Sequence, residues 1–327
     1  MLKNIKDQKN LKDKQNFGVI FFVLHIYGYA YIREIEDHLT NKEARMDYQE
    51  PPKVEHVQYV ENIRQNVRDA YGKVAEANNK GKSCGNARSC CGVPATTDIK
   101  YSIELGYSQD DVQNAPEGSN MGLGCGNPHL IADVKPGEYV LDLGAGGGFD
   151  AFLASKKVGP SGKVFGVDMT PEMVNKARLN AQKNGYQNIE FLLGEIEHLP
   201  LPDGSIDVII SNCVVNLSVS KLQVFQEAFR VLKEGGRIAI SDIVASQPMP
   251  AEIRNNTELY CACISGAMTI EALKTLLNKV GFENIVIEPQ EGSKMFIKDW
   301  APEAGAENYV VSAKIKAQKP VVKKENR

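Results

Sequence analysis

The chain has 327 residues, of which 43% are hydrophobic and 24% charged, with a formal net charge of −3. This balance suits one large globular domain, or one domain with an annex. Nothing in it suggests a nucleic-acid footprint, which would need a basic face and a higher pI. Seven cysteines, an odd number without regular spacing, match no secreted disulfide scaffold. They read as reduced thiols of a cytoplasmic protein, kept for reactivity or metal binding.

In chain order, the first notable stretch is "FGVIFFVLHIYGYAYI", residues 17–32. It is shorter than the roughly 20 residues of a spanning helix and carries His25 and Gly28. No small-residue cleavage pattern follows it, and Met46 opens a more typical soluble start. Residues 1–45 are therefore expected to be a poorly ordered extension. A weak membrane anchor and a core-packed helix are the alternatives.

Residues 54–78 place Val57, Val60, Ile63, Val67, Ala70, Tyr71 and Val74 at helical spacing, which predicts an amphipathic helix. A Gly/Ser/Cys-rich loop containing Cys84, Cys90 and Cys91 breaks it. "SQDDVQNAP" predicts a short helix with Ser108 at its N-cap. These segments make up an N-terminal helix and cysteine loop over 46–116.

From Gly137 the pattern becomes regular. "EYVLDLG", "GKVFGVDM", "IEFLLGEI", "IDVIISN" and "RIAISDIV" read as five strands. Between them lie the helices "GFDAFLASKKV", "TPEMVNKARLNAQKNG" (Thr170 at N-cap, Pro171 at N1) and "SKLQVFQEAFRVLKEGG", the last ending on glycine. Apolar strands alternating with helices predict an α/β fold, a mostly parallel sheet covered on both faces, over 117–248. Residues 249–327 are expected to supply a helical insertion, two closing strands ("ENIVIEP" and "ENYVVSAKIKA") and a basic tail.

"VLDLGAGGGFD" runs a strand into a glycine turn and then a helix, where backbone can approach a ligand. A nicotinamide fingerprint would need glycine at 149, and Phe149 stands there. Asp142 sits where a pyrophosphate would be repelled and a cationic amino acid welcomed. Asp168 ends the second strand at about the 20-residue offset of a ribose-hydroxyl acceptor. Together these suit S-adenosylmethionine, which has a ribose and no phosphate. The block resembles the class I S-adenosylmethionine-dependent methyltransferases, Rossmann-like in fold. The resemblance implies that Asp142, Gly144 and Gly146 frame the methionine portion and that Asp168 holds the ribose. It also implies that Met169, Glu195 and Ile196 border the adenine, with Asn212 on the cofactor floor.

Ligands of open α/β sheets bind outside the carboxyl ends of the strands. Cys213 lies at such an end, Cys125 in the loop before the core, and Cys261 and Cys263 after the fifth strand. Any one cysteine alone is more simply core filling; three converging beside a methyl donor are not. Zinc is disfavoured, since no C-x2-C pair exists. A soft thiolate cluster selects a soft atom, and trivalent arsenic fits. Its lone pair can attack a sulfonium methyl without losing a proton, so no general base is required. Of the five histidines only His129 and His198 lie near the motifs, and both read as structural.

"GLGCGNP", "GVDMTPEM", "GEIEHLP", "SNCVVNL" and "CISGA" together resemble the arsenite methyltransferase family over roughly residues 65–290. That resemblance implies As(III) and methylated arsenicals as substrates, held by Cys125, Cys213 and Cys263. It implies a disulfide relay through Cys84, Cys90 or Cys91, renewed by glutathione or thioredoxin, in an enzyme expected to be a monomer. Cys261 matches no ligand of the family. A methyltransferase for a quinone or sterol, and a non-enzymatic thiol-based metalloid binder, are the rival readings.

Overall fold

The computed structural model describes residues 53–79, 98–300, 302 and 304–322. Cys84, Cys90, Cys91 and the 1–45 extension lie outside the described residues. The compact unit that carries the fold is Val57–Arg327.

Helix α1 spans Lys53–Asn79, in agreement with the periodicity. It buries Ile63, Val67 and Ala75, each four or eight residues from the next, on one face. Two short helices follow, α2 (Asp98–Glu104) and α3 (Gln109–Gln113). Ser108 caps α3 as the sequence predicts: its Oγ accepts from the Asp111 N–H at 3.0 Å, and the Asp111 carboxylate accepts from the Ser108 N–H at 3.1 Å. Such a reciprocal box is worth about 1 kcal/mol. A single turn, α4 (His129–Ala132), leads into the core.

The sheet has seven strands in the order β3-β2-β1-β4-β5-β7-β6. They are β1 (Tyr139–Leu143), β2 (Lys163–Asp168), β3 (Ile189–Leu193), β4 (Ile206–Asn212), β5 (Leu232–Ala245), β6 (Glu283–Gln290) and β7 (Val310–Gln318). The first five pair in parallel, and β7 lies antiparallel between β5 and β6. Helices α5 (Phe149–Val158) and α6 (Pro171–Lys183) cover one face, and α7 (Lys221–Val231) and α10 (Ile270–Val280) cover the other. Covering both faces is what makes the central strands continuously apolar: Ile206, Val208, Ile209 and Ile210 of β4 have no exposure. Each such side chain contributes roughly 1.5–3 kcal/mol by leaving water. Chain order reverses between β1 and β4, and that switch point opens a crevice at their carboxyl ends.

Three details differ from the sequence reading. The helix expected to run to the glycine pair stops at Val231, because Leu232 pairs with Ile206 and draws the chain into β5 five residues early. Thr170 has N-cap backbone geometry, but its side chain makes no capping bond. The C-terminal insertion is broken into α8 (Ala251–Arg254), α9 (Thr257–Cys261) and α10, and an unforeseen α11 (Lys294–Trp300) separates β6 from β7.

Candidate active site

The crevice at the carboxyl ends of β1, β2 and β4 is lined by Asp142, Gly144, Gly146, Asp168, Met169, Ile196 and Asn212, as the sequence reading expects, and by Cys213. Gly144 lies at φ 68°, and a Cβ there would meet Val214 Cγ2 at 2.5 Å, so only glycine lets the turn pass under the Cys213 segment. The Gly146 N–H donates to Asp168 Oδ2 at 2.9 Å, and the Thr170 N–H to Oδ1 at 2.8 Å. Those two bonds fix the carboxylate at the lip of β2. Burial nevertheless outweighs them and raises the Asp168 pKa.

Asp142 is buried deeper. Desolvation, then the neighbouring charges of Asp150 and Asp168, push its pKa well above the usual carboxylate range. Three carboxylates sharing one buried crevice are mutually unfavourable until a cation enters. A ligand carrying a sulfonium and an ammonium relieves that repulsion, which a dinucleotide pyrophosphate would worsen.

One expected residue falls elsewhere. The Glu195 side chain does not line the crevice: its Oε1 accepts from Arg68 Nη2 of α1 at 2.6 Å, and Arg64 Nη2 lies 3.6 Å from its Oε2. Glu197, two residues on and buried, lines the crevice instead and accepts from Ser218 Oγ at 2.6 Å. Arg64, Val67 and Tyr71 of α1 form part of the crevice wall.

Sequence reasoning missed a polar network in the crevice wall itself. Tyr107 Oη donates to Asp150 Oδ1 at 2.7 Å. Asn212 Nδ2 donates to Tyr107 Oη at 3.0 Å and to the Gly126 carbonyl at 2.8 Å, while its Oδ1 accepts from the Cys125 N–H at 3.0 Å. Asn212 thus ties the cofactor crevice to the loop bearing Cys125. Burial, then the charge of Asp150, raises the Tyr107 pKa well above 10, so it acts as a neutral donor. His129 packs against the same aspartate, Nε2 at 3.3 Å from Oδ1, in keeping with a structural role. Asp150 stands beside the glycine turn in "GFD" and was legible there. Nothing local marks Tyr107.

The three cysteines share one region, but only two of their sulfurs meet, while Cys263 Sγ lies outside the group that Cys125, Cys213 and Asp242 form. Cys125, Cys213 and Cys263 are all buried within one apolar cluster. Cys125 and Cys213, expected as two free thiolates, are joined as a disulfide with their Cα atoms 6.0 Å apart. That spacing lies within the usual range for a bonded pair. Cys263 remains a thiol and donates to the Cys213 carbonyl at 2.9 Å. Cys213 and Cys263 both hold left-handed backbone, φ 58° and 62°, which costs a non-glycine residue about 1–3 kcal/mol. Strain of that kind persists where surrounding structure over-determines it, and here it falls on the two cysteines joined by the Cys263 Sγ bond to the Cys213 carbonyl. Cys261 is half-buried, and desolvation raises its thiol pKa.

Asp242 is an unforeseen neighbour. One of its oxygens lies within 4.8 Å of the Cys125 and Cys213 sulfurs. Burial raises its pKa to about 6, and burial also lowers that of nearby Lys221 to about 8. The Asp242 oxygens accept from the N–H groups of Val215 (2.9 Å) and Ile243 (2.7 Å), so this carboxylate organises backbone. Of the cysteines, Cys213 lines the crevice, and its sulfur is a donor that suits a soft metalloid.

A family described as a methyltransferase domain matches residues 134–281. The arsenite methyltransferase of Halobacterium salinarum is 46% identical over 265 residues, covering 80% of this chain and 67% of that protein. That of Aquipseudomonas alcaligenes is 37% identical over 230 residues, covering 67% of this chain and 62% of the relative. The chain therefore spans about two thirds of the length of these relatives. The crystal structure of an arsenic(III) S-adenosylmethionine methyltransferase from Chlamydomonas reinhardtii superposes with a TM-score of 0.52 at 33% identity, over 68% of this chain and 74% of that one. Seven strands in class I methyltransferase order, an acidic glycine-lined crevice and this identity across most of its length place the chain in the S-adenosylmethionine-dependent arsenite methyltransferase family.

Proposed function

We propose that Cys125, Cys213 and Cys263 hold As(III) at the mouth of the crevice while Asp142, Asp168 and the glycine turn hold S-adenosylmethionine below it. The observation that carries this reading is Cys213. It lies at the end of β4, in the crevice wall, and its neighbours in space are the other two cysteines.

The cycle starts with reduction. Two thiols of a reductant such as glutathione or thioredoxin are oxidised to a disulfide as Cys125 and Cys213 become thiols; Cys84, Cys90 and Cys91 are candidates to pass that exchange inward. Three thiols then replace the three hydroxyls of arsenous acid, forming three As–S bonds and releasing three waters. S-adenosylmethionine supplies an electrophilic methyl on a sulfonium. Arsenic held by three thiolates retains a lone pair that would form the bond to that methyl carbon, and the sulfonium sulfur would take the electrons of the broken C–S bond. No proton moves in that step, and the crevice accordingly needs to position groups rather than titrate them. The two electrons that return arsenic to the trivalent state would come from two bound thiolates: their two As–S bonds break as one S–S bond closes, and water, losing a proton, fills the position left on the methylarsenic still held by the third thiol. Cys125 and Cys213 stand where such a pair can close. The chain acts as a monomer in this scheme, since each group it uses comes from one copy. Among the described residues no helix is long and apolar enough to cross a membrane.

Arsenic speciation after incubation with As(III), S-adenosylmethionine and glutathione tests the proposal. Methylated arsenic and S-adenosylhomocysteine should appear together. Arsenite retained unmethylated beside intact cofactor would leave only a binder, and methylation of a quinone instead would favour the rival enzyme.

A further inference from the structure

The segments "SNCVVNL" and "CISGA" are far apart in sequence, yet one side chain joins them. Asn216 is 4% exposed, and its Nδ2 donates to the Ile243 carbonyl at 2.6 Å and to the Cys263 carbonyl at 3.2 Å. Its own backbone is held in turn: the Asn216 and Val215 N–H groups donate to Asp242 Oδ2 at 3.4 and 2.9 Å. The Asn216 carbonyl lies over Gly266, where any Cβ would fall inside contact distance of that oxygen. This explains the glycine of "CISGA" as a close-approach position rather than a turn. A weaker tie joins the same segments, Tyr260 Oη donating to the Leu217 carbonyl at 3.3 Å.

We propose that Asn216 is a positioning residue of the metalloid site: by bonding the Cys263 carbonyl from within the Cys213 turn, it holds both left-handed cysteines in the register that presents their sulfurs to one As(III). The proposal rests on the reading of Cys213 and Cys263 as ligands. Asn216 touches no sulfur. It acts on the backbone of the residues that do, as outer-shell partners orient ligands in metal sites. Without it, the Cys263 carbonyl loses its tie to the Cys213 turn, while the thiol bond to the Cys213 carbonyl and the Cys263 N–H bond to the Tyr260 carbonyl at 2.9 Å remain. That thiol bond is lost when the sulfur turns to arsenic. A third ligand on a strained turn that has lost its Asn216 tie would then leave the site, and water oxygen would replace it.

The test uses the full chain, reduced, with arsenite as the probe. Asn216→Ala and the milder Asn216→Ser are titrated with As(III) and, separately, with S-adenosylmethionine, and X-ray absorption counts the sulfurs around bound arsenic. As(III) affinity should fall about 10- to 100-fold, and the count should drop from three sulfurs to two with one oxygen. Cofactor affinity should stay within about twofold, because Asn216 forms no part of the crevice wall. Three sulfurs at wild-type affinity in both variants overturn the proposal. So does loss of cofactor and arsenite binding in step in both, which would make Asn216 a general structural residue. Cys263→Ser, run alongside, separates the two claims. If it binds As(III) as wild type does, the ligand reading itself fails; if it loses binding while both Asn216 variants keep it, only the positioning role fails.

Discussion

The cofactor crevice and the thiol cluster share Cys213, yet they are built in different ways. Asp142, Gly144, Gly146 and Asp168 come from one continuous strand–turn–helix–strand, and the sheet register that holds them is local and deeply buried. The thiols are brought together across long stretches of chain: 88 residues separate Cys125 from Cys213, and 50 separate Cys213 from Cys263. Two of them sit on strained backbone held by Asp242 and Asn216. A site made of neighbouring residues survives single substitutions elsewhere. A site assembled from remote turns depends on every tie between them.

The largest effect that tests this contrast is on the thiols. Replacing Cys125, Cys213 or Cys263 with serine exchanges a soft thiolate for a hard hydroxyl of similar size. In the reduced protein, where no Cys125–Cys213 bond is lost, As(III) affinity should fall by more than about 100-fold, beyond what outer-shell changes cost, with S-adenosylmethionine affinity and melting temperature nearly unchanged. Cys261→Ser should leave both titrations as in wild type. If a serine at 213 binds arsenite normally, Cys213 is core filler and the contrast collapses.

Asp168→Ala should do the reverse. Loss of a charge-assisted acceptor weakens cofactor binding by about 1.5–3 kcal/mol, while As(III) binding stays near wild type. Because the same carboxylate accepts from the Gly146 and Thr170 N–H groups, melting should also shift downward. Calorimetry finding unchanged cofactor affinity would remove Asp168 from the ribose site.

A smaller effect follows from Asp142. Burial and its acidic neighbours make this carboxyl harder to ionise in the fold than in the unfolded chain. The cofactor-free fold therefore loses stability as pH rises from about 4, the ordinary carboxylate range, through the raised value. A bound cation favours the ionised form, so binding should release protons and affinity should rise with pH over that interval. Titrations in buffers of different ionisation heat read the proton release directly. Affinity that falls with pH, or no release at all, contradicts the electrostatic account.

The smallest effect concerns α1. Arg68 and Glu195 are each about a quarter exposed, 28% and 26%. Solvent-screened pairs of this kind contribute at most about 1 kcal/mol. Arg68→Ala should weaken the cofactor by no more than about fivefold, and less at high salt. A larger, salt-insensitive loss would mean that α1 holds the ligand by packing through Val67 and Tyr71.

The same division governs what was legible in the sequence. The glycine turn, Asp142 and Asp168 could be read because their chemistry depends on near neighbours, and the strand periodicity announced the sheet that carries them. Topology could bring Cys125, Cys213 and the Cys261/Cys263 pair to one edge, but the choice of Cys263 over Cys261 came only through joint resemblance of several motifs, since spacing selects neither. The Cys125–Cys213 bond, Tyr107 under Asp150, and Asp242 on the Cys213 turn follow from non-local packing, and no window of sequence contains both partners. Glu195 was misplaced for the same reason: the arginines that claim it belong to α1, and Arg68 is 127 positions away. The early end of α7 had a tertiary cause as well, the pairing of Leu232 with β4.

The most direct test of the account is a single turnover on reduced protein loaded with one equivalent of As(III), then mixed with S-adenosylmethionine and quenched. The account predicts one methylarsenic formed for each S-adenosylhomocysteine in the wild type. In Cys213→Ser it predicts none, although cofactor binding persists. Equal methyl transfer in that variant, or cofactor cleavage in the wild type without a carbon–arsenic bond, would contradict the claim that three thiols present arsenic to the methyl donor.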